Sequence, residues 1–339
     1  MEKTHLINEA IKNKEYCGSY GGSYVPYYAL SHARNGEAIY RKMSDINRNP
    51  IKIPYNDMWK NIVTFNPYGM VSEIPTIAST KTTMSIPELD DLVIDNRIIN
   101  SDGSINCIKI GVEYAWDLAG IAKRLRLDET EMRKHLSSYT ENPKLLDPKN
   151  KVWLPPCDAF TVYVFGDLDS YDSVTARVHD ECSGSDTFGT HICSCRPYLV
   201  YGIQAAVECA QKGGLGVVVY CRKEGRSLGE VIKFLVYNGR KNQEGGDRAE
   251  TYFDHTKRFC GVEDARFQEL MPDIFSWLGI KTINNWMSMS HEKSSALRNV
   301  GIEIGHQFEI PIDMIAEDSK VELEAKVKAG YYEGELNFI

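Results

Sequence analysis

Three cysteines lie close together in the run ECSGSDTFGTHICSC: Cys182, Cys193 and Cys195, spaced C-x10-C-x-C. Zinc binds thiolates tetrahedrally, and three protein ligands leave a fourth position for water, the open arrangement of catalytic sites. Such a metal lowers the pKa of its water to about 7, which provides a nucleophile at neutral pH. The same spacing suits three buried free thiols packing as small hydrophobes. His179, before the first cysteine, and His191, between the first and second, could add ligands, although a lone histidine on a strand is more often structural. A second run, RKEGRSLG from Arg222 to Gly229, follows the apolar segment GVVVYC and precedes a helical pattern. Amides at a helix start, together with Arg222, Lys223 and Arg226, suit phosphate groups and hence an anionic substrate; a solvated basic turn would read alike. The third run, GVEDARF (261 to 267), sets Asp264 and Arg266 two apart at an expected helix start, with Tyr237 late in the preceding helix. An aspartate there can act as a general base and an arginine can fork onto phosphate, or the two are a helix cap and a surface cation.

Positioning these runs calls for a sheet with helices. From Ala159 onward, strand and helix patterns alternate: FTVYVFGD and SVTARVH as strands, Pro197 to Lys212 as a helix, and GLGVVVYC as a strand. Helices follow at about Leu228 to Asn238, Ala265 to Leu278 and Glu292 to Asn299, with strands near Lys281 to Trp286 and Ile302 to Phe308. The fold class is α/β of mixed α+β character, a layered sheet covered by helices. Before about residue 150 the chain is rich in Gly, Ser, Tyr and Pro and reads as loops and short strands. The exception is WDLAGIAKRLRLDETEMRKHL (116 to 136), a helix, turn, helix in which Asp128 can cap the second helix. The stretch NPKLLDPKNKVWLPP marks a boundary, giving an irregular N-terminal domain over 1–155, a catalytic domain over 156–315 and a charged tail over 316–339, expected on the surface.

Composition limits the function classes. The chain has 339 residues, 39 Lys+Arg against 47 Asp+Glu and a net charge of −8, which disfavours a nucleic-acid binder that works by counterion release. With 42% hydrophobic and 25% charged residues it is an ordinary globular chain, and no apolar run is long enough to span a membrane. Met1 to Asn13 lacks the apolar core of a secretory signal, so a cytoplasmic location is expected. Nine cysteines in such a chain point to metal or catalytic thiols rather than a disulfide framework, with Cys17, Cys107, Cys157, Cys209, Cys221 and Cys260 left to core packing.

Taken in order, RVHDEC, C-x-C, YCRKEGRSLG, the Lys233 to Tyr237 segment, GVEDARF and WMSMSHEK resemble GTP cyclohydrolase II over about residues 170 to 315. The resemblance implies that Cys182, Cys193 and Cys195 hold a catalytic zinc, one per subunit, with Mg2+ accompanying a triphosphate. It implies that Arg177, Val178, His179, Asp180 and Glu181 form a nucleotide-binding run, that Glu224, Gly225 and Arg226 form a triphosphate segment, and that Arg222 belongs with them. Asp264 falls on the proton acceptor, Arg266 on the arginine assigned to attack the α-phosphate, and Tyr237 on the active-site tyrosine. A homodimer is implied as well.

Departures from the family pattern bear on the substrate. Tyr198, in CSCRPY, stands where the family has a base-binding glutamine; Asp247, Arg248, Ala249 and Glu250 replace a D-T-x-E run, with Glu250 at its nucleotide-binding end; Ser288 and Lys293 align loosely with a late threonine and lysine. These features, with the N-terminal SHARNGEAIYRKMSDINRNPIKIPYNDMW, are similar to the uracil-catabolism branch of the family. That branch implies opening of the pyrimidine ring of a uridine nucleotide, UTP being the expected substrate. The alternatives are a GTP cyclohydrolase of riboflavin synthesis and a nucleotide-sensing helix-turn-helix regulator; Arg126 at the usual turn glycine argues against the latter.

Overall fold

The computed structural model describes residues 16–19, 64–65, 77–112, 115–154, 159–246, 248, 251–262 and 264–332. The chain divides into two compact units, Met1–Ser79 with Gly111–Ala159, and Thr80–Ile110 with Phe160–Ile339. In the first unit, strands β1 (Tyr16–Ser19) and β2 (Thr64–Phe65) join two later strands in a four-stranded sheet. In the second, β3 (Ile77–Met84) and β4 (Ile105–Val112) form one edge of a seven-stranded sheet.

The chain then returns to the first unit with β5 (Ala115–Asp117), helix α1 (Leu118–Leu125) and helix α2 (Glu129–Thr140), and adds β6 (Lys151–Leu154). The first sheet has the order β1-β6-β5-β2. The helix-turn-helix expectation holds: the Asp128 carboxylate accepts from the Glu131 amide at 3.0 Å, and Arg126 takes the left-handed conformation, φ 57°, that a turn glycine would supply. Arg133 on α2 is buried, and its guanidinium donates to the carbonyls of Leu145, Asp147 and Asn150. A side chain committed to its own domain in this way serves packing.

In the second unit, the apolar runs read from the sequence become β7 (Phe160–Phe165), β8 (Val174–Asp180) and, after helices α3 (Ser183–Phe188) and α4 (Cys195–Gln211), β9 (Leu215–Cys221). Helices α5 (Glu230–Lys241), α6 (Tyr252–Cys260) and α7 (Pro272–Trp277) precede β10 (Thr282–Met287), helix α8 (His291–Asn299), β11 (Glu303–Phe308) and helix α9 (Lys320–Lys328). The sheet order is β11-β10-β8-β9-β7-β4-β3. β8 is parallel to β9 and β10, β10 is parallel to β11, and β7 runs antiparallel to β9. Val217, Val218 and Val219 are fully buried at the centre of this sheet, as a continuous β-branched run demands when helices cover it.

The structure departs from the expected layout in three places. The single boundary near 155 gives way to a chain that enters the second unit at Thr80, leaves it at Ile110 and re-enters at Phe160, because β3 and β4 extend the sheet beyond β7. The helix expected from Ala265 starts only at Pro272, whose ring suits a first helical position but not an interior one. Residues 320–328, expected as a surface tail, form α9, with Glu322, Leu323 and Ala325 buried. Cys107, Cys209 and Cys221 are buried and form no disulfide, in line with core packing.

Close contact between α4 and β9 holds the site-bearing strands in place. Leu199, Ile203, Ala206, Val207 and Ala210 of α4 lie in one cluster with Phe165 and Val218. A Cβ on Gly216 would come within 2.1 Å of the Ala206 carbonyl oxygen, which is backbone and cannot rotate away. Gly216→Ala is expected to destabilise the protein by about 3 kcal/mol or more through forced separation of helix and sheet. An unchanged melting temperature and denaturant midpoint would show that α4 can shift freely.

Candidate active site

The parallel strands β8, β9 and β10 end at Asp180, Cys221 and Met287, and each is followed at once by residues singled out from the sequence. Carboxyl ends of parallel strands are where α/β sheets place their sites, because loops there diverge around a crevice. A cavity of about 180 Å³ opens among them, lined by Arg177, His179, Asp180, Glu181, Cys182 and Cys195, and by residues of the later helices.

Cys182 caps α3, Cys193 lies just before α4, and Cys195 is its first residue. Their sulfurs all lie within 4.8 Å of one another, so the three could hold a metal ion. The Sγ atoms of Cys182 and Cys193 are 3.3 Å apart, and both are free thiols. Hydrogen bonds from Cys182 and Cys195 pull the Cys193 thiol below its usual value, while Cys182 is pushed up to about 12, chiefly by its bond with Cys193. The Cys195 thiol is raised by its bonds with both others. Three soft donors this close, whose negative charges would repel one another, are a fitting set for a thiophilic cation, which would let all three ionise.

This loop is braced by two carboxylates, Asp186, which sequence reading passed over, and Glu224, which the resemblance assigns to the triphosphate segment. Asp186 accepts from the Cys182 amide at 2.9 Å, from the Tyr220 hydroxyl at 2.8 Å and from His179 Nε2 at 3.1 Å. Burial holds His179 below the usual histidine value in spite of Asp186, so the ring is neutral and supports the loop rather than joining the sulfurs. Glu224 accepts from the Ser183 amide at 2.7 Å and from Lys233 Nζ at 2.5 Å, and Lys233 also donates to Cys182 Sγ at 2.8 Å. Lys233, Asp186 and Tyr220 are thus site residues that sequence reading missed. Of these, Lys233 and Tyr220 fell within segments that carry the family resemblance, Lys233 to Tyr237 and YCRKEGRSLG.

The phosphate-type run forms a tight loop before α5. Gly225, Arg226 and Ser227 have successive φ values of 59°, 56° and 62°, a left-handed stretch that only the first takes without strain. Arg226 lies with its guanidinium carbon 4.5 Å from the Phe253 ring centroid and 4.9 Å from that of Tyr331, and it donates to Asp264 at 3.0 Å. Arg266 forks onto Asp264 through Nε at 2.9 Å and Nη2 at 2.5 Å, and meets Asp180 at 2.5 Å. Lys293 reaches Asp180 at 2.9 Å and the Val178 carbonyl at 3.1 Å. Burial opposes the charge on Arg266, but Asp180, Asp264 and Glu292 hold it protonated more firmly than an ordinary arginine.

Other expected residues are placed unevenly. Arg177, Gly225, Ser288 and Tyr237 line the cavity. Burial first, then neighbouring Glu322, holds the Tyr237 phenol protonated, which leaves it a donor. Burial raises the Glu181 carboxyl, helped by Glu224 and Asp186, while Arg222 opposes the shift. Val178 is fully buried and offers only its carbonyl, and neither Arg222 nor Glu224 is among the lining residues. Glu250 lies outside the described residues. Tyr198 packs with Met287, Ile310, Ile315 and Leu323, and its hydroxyl meets that of Tyr332 at 2.5 Å. The cavity is closed from the far side by Glu322, Leu323 and Lys326 of α9 and by Tyr331 and Tyr332 after it. The tail's expected place on the surface concealed this contribution.

Among the described residues, no helix is long and apolar enough to cross a membrane. Residues 4–138 match the GTP cyclohydrolase N-terminal family, and residues 157–309 match GTP cyclohydrolase II. Over 96% of its length the chain is 42% identical to "Putative GTP cyclohydrolase URC1" of Lachancea kluyveri, spanning 80% of that protein. It is 41% identical to "Uracil-regulated protein 1" of Schizosaccharomyces pombe, again over 96% of this chain and 80% of the relative. "Riboflavin biosynthesis protein RibBA" of Bacillus cereus is 30% identical over 48% of this chain and 38% of its own. With both domains matched in order, the chain belongs to the GTP cyclohydrolase II family.

Proposed function

We propose that this protein is a zinc-dependent nucleotide cyclohydrolase that opens the pyrimidine ring of UTP by hydrolysis and releases pyrophosphate. The observation that carries this reading is a triad of clustered thiols, two of which, Cys182 and Cys195, line one cavity together with the cations Arg226, Arg266 and Lys293. Cys182, Cys193 and Cys195 would hold the zinc, which when bound supplies Lewis-acid activation of water at neutral pH. Opening the ring adds water across one C–N bond: the oxygen goes to the ring carbon and a proton goes to the departing nitrogen.

The chain's own residues then have distinct tasks. Lys233 holds the Cys182 sulfur in place, and the protonated Tyr237 donates a hydrogen bond to the reacting base. Arg226 and Arg266 take the phosphates, and as they do so the Asp264 oxygens they now occupy become free to accept a proton. Because Arg266 is held so firmly protonated, its task at the α-phosphate is charge stabilisation while the α–β anhydride is hydrolysed by a second water. Mg2+ would accompany the phosphates. Tyr198, an aromatic ring packed where the family places a glutamine, narrows the base site and favours a pyrimidine. A second reading, GTP as substrate, is favoured by the matched family and by the printed name of the Lachancea kluyveri relative.

With zinc-loaded protein incubated separately with UTP and GTP, base absorbance should fall and pyrophosphate appear with UTP. Turnover of GTP alone would establish the second reading, and inertness toward both would overturn the cyclohydrolase assignment. Cys193→Ser should lose zinc, measured by elemental analysis, together with ring opening, while its far-ultraviolet circular dichroism stays native. A metal-free variant that retained activity would remove zinc from the mechanism.

The cation cluster also links stability to pH. Burial alone would raise the Asp180 carboxyl, but Lys293 and Arg266 outweigh it and hold the group well below the ordinary carboxylate range. A depressed folded-state value contributes stability that is complete above about pH 4 and is lost only as pH falls through that value. Asp180→Asn leaves two cations short of a partner and is expected to cost about 3 kcal/mol at pH 7, since Asp180 is still partly solvated. Thermal melts should show the gap between variant and parent shrinking below about pH 4; equal melting temperatures at pH 7 would refute the linkage.

A further inference from the structure

Among the cavity residues, Glu322 on α9 is distinctive. It is 6% exposed, and its Oε1 pairs with Lys326 Nζ at 2.9 Å, one turn along the same helix. Its Oε2 is buried and has no hydrogen-bond partner among the described residues. A buried carboxylate oxygen left unpaired is costly, and a side chain that served only the pair with Lys326 could have stayed at the surface. Both Glu322 and Lys326 line the cavity that also contains Cys195, Tyr237 and Tyr252. The neighbouring Leu323 and Ala325 are fully packed, which fixes the helix and so the direction of the carboxylate.

The free atom is an acceptor, and the ammonium beside it is a donor. That pattern is complementary to an N–H flanked by a carbonyl on a six-membered ring. On uracil the N–H is N3–H and the carbonyl is at C2 or C4; cytosine offers a bare N3 lone pair instead, which a carboxylate would repel. We propose that α9 carries the base-recognition residue of this enzyme: Glu322 Oε2 accepts the N3–H of uracil, and Lys326 donates to the adjacent ring carbonyl. The inference rests on the nucleotide reading given above. It makes Glu322 a specificity-determining group supplied by a segment that lies beyond residues 157–309, the part matched to GTP cyclohydrolase II.

The test is equilibrium binding of UTP and of N3-methyl-UTP to the zinc-loaded full chain by calorimetry, paired with turnover of both. Methylation removes the donor and places a methyl group against the carboxylate, so N3-methyl-UTP should bind at least about tenfold more weakly than UTP. In Glu322→Gln this preference should fall severalfold, and KM for UTP should rise about tenfold with a smaller change in kcat. A purely structural Glu322 would not set the preference for UTP over its methylated analogue. Equal binding of the two nucleotides to the native protein overturns the proposal even if Glu322→Gln fails to fold. Selective binding of UTP over N3-methyl-UTP without ring opening would overturn the cyclohydrolase reading and leave base recognition by Glu322 supported. Binding of GTP alone would overturn the uracil assignment and leave the GTP reading, and binding of no nucleotide would overturn both.

Discussion

Three sulfur atoms within 4.8 Å are the constraint around which the rest of the second unit is arranged. Thiols that close cannot all ionise unaided, and the loop carrying the first of them has too few residues to hold itself. The solution is a pair of carboxylates on either side of Cys182. Asp186 grips the Cys182 amide and is itself held by His179 and Tyr220 from β8 and β9, so the loop is tied to the two central strands. Glu224 grips the next amide, that of Ser183, and shares Lys233 with the Cys182 sulfur. Through Glu224 the cysteine loop and the left-handed loop at Gly225 to Ser227 become one unit, so that metal-type and phosphate-type residues keep a common geometry.

The second feature is the neutralisation of a buried cationic cluster by its own acids. Arg226, Arg266 and Lys293 would repel one another in a site with little water, yet Asp180 and Asp264 sit between them at 2.5 to 3.0 Å. Such an arrangement is stable when empty and can exchange carboxylate for phosphate partners when an anion arrives, because a guanidinium fork fits both. Stability and binding draw on the same contacts.

The third is closure from the C-terminal side. Helix α9 and the two tyrosines after it supply a wall whose polar members, Glu322, Lys326 and the Tyr198–Tyr332 hydroxyl pair, differ in chemistry from the cation cluster opposite. One end of the cavity is suited to phosphate and the other to a neutral base with an N–H and a carbonyl. In the nucleotide reading proposed above, the cations would take the phosphates and this wall would take the base.

Local pattern was enough to read β7, β8, β9, α4 and α8 from the sequence, because an unbroken β-branched run or a helical apolar period has one stable burial. The cysteine triad was legible for a related reason: its chemistry needs few residues at short spacing, and these lie within fourteen positions from Cys182 to Cys195. What depended on tertiary structure was every partnership across long separation. Asp264 was visible as a charge, but not that it would meet Arg226 from a loop 38 positions earlier. Asp186 drew no reading from the sequence, and its role as anchor exists only once β8 and β9 lie side by side. Strands β3 and β4 joined the catalytic sheet, although their sequence neighbours belong to the other unit, since sheet edges pair by geometry and not by order along the chain. Helix α9 was the largest miss: its charge pattern is that of a solvated helix, and only the presence of a polar cavity beneath it accounts for a buried Glu322 with Lys326 half-buried beside it. Sequence by itself determined which chemistry the residues can perform; the fold decided which of them share a site, because hydrogen bonds and charge pairs act over a few ångströms whatever the distance along the chain.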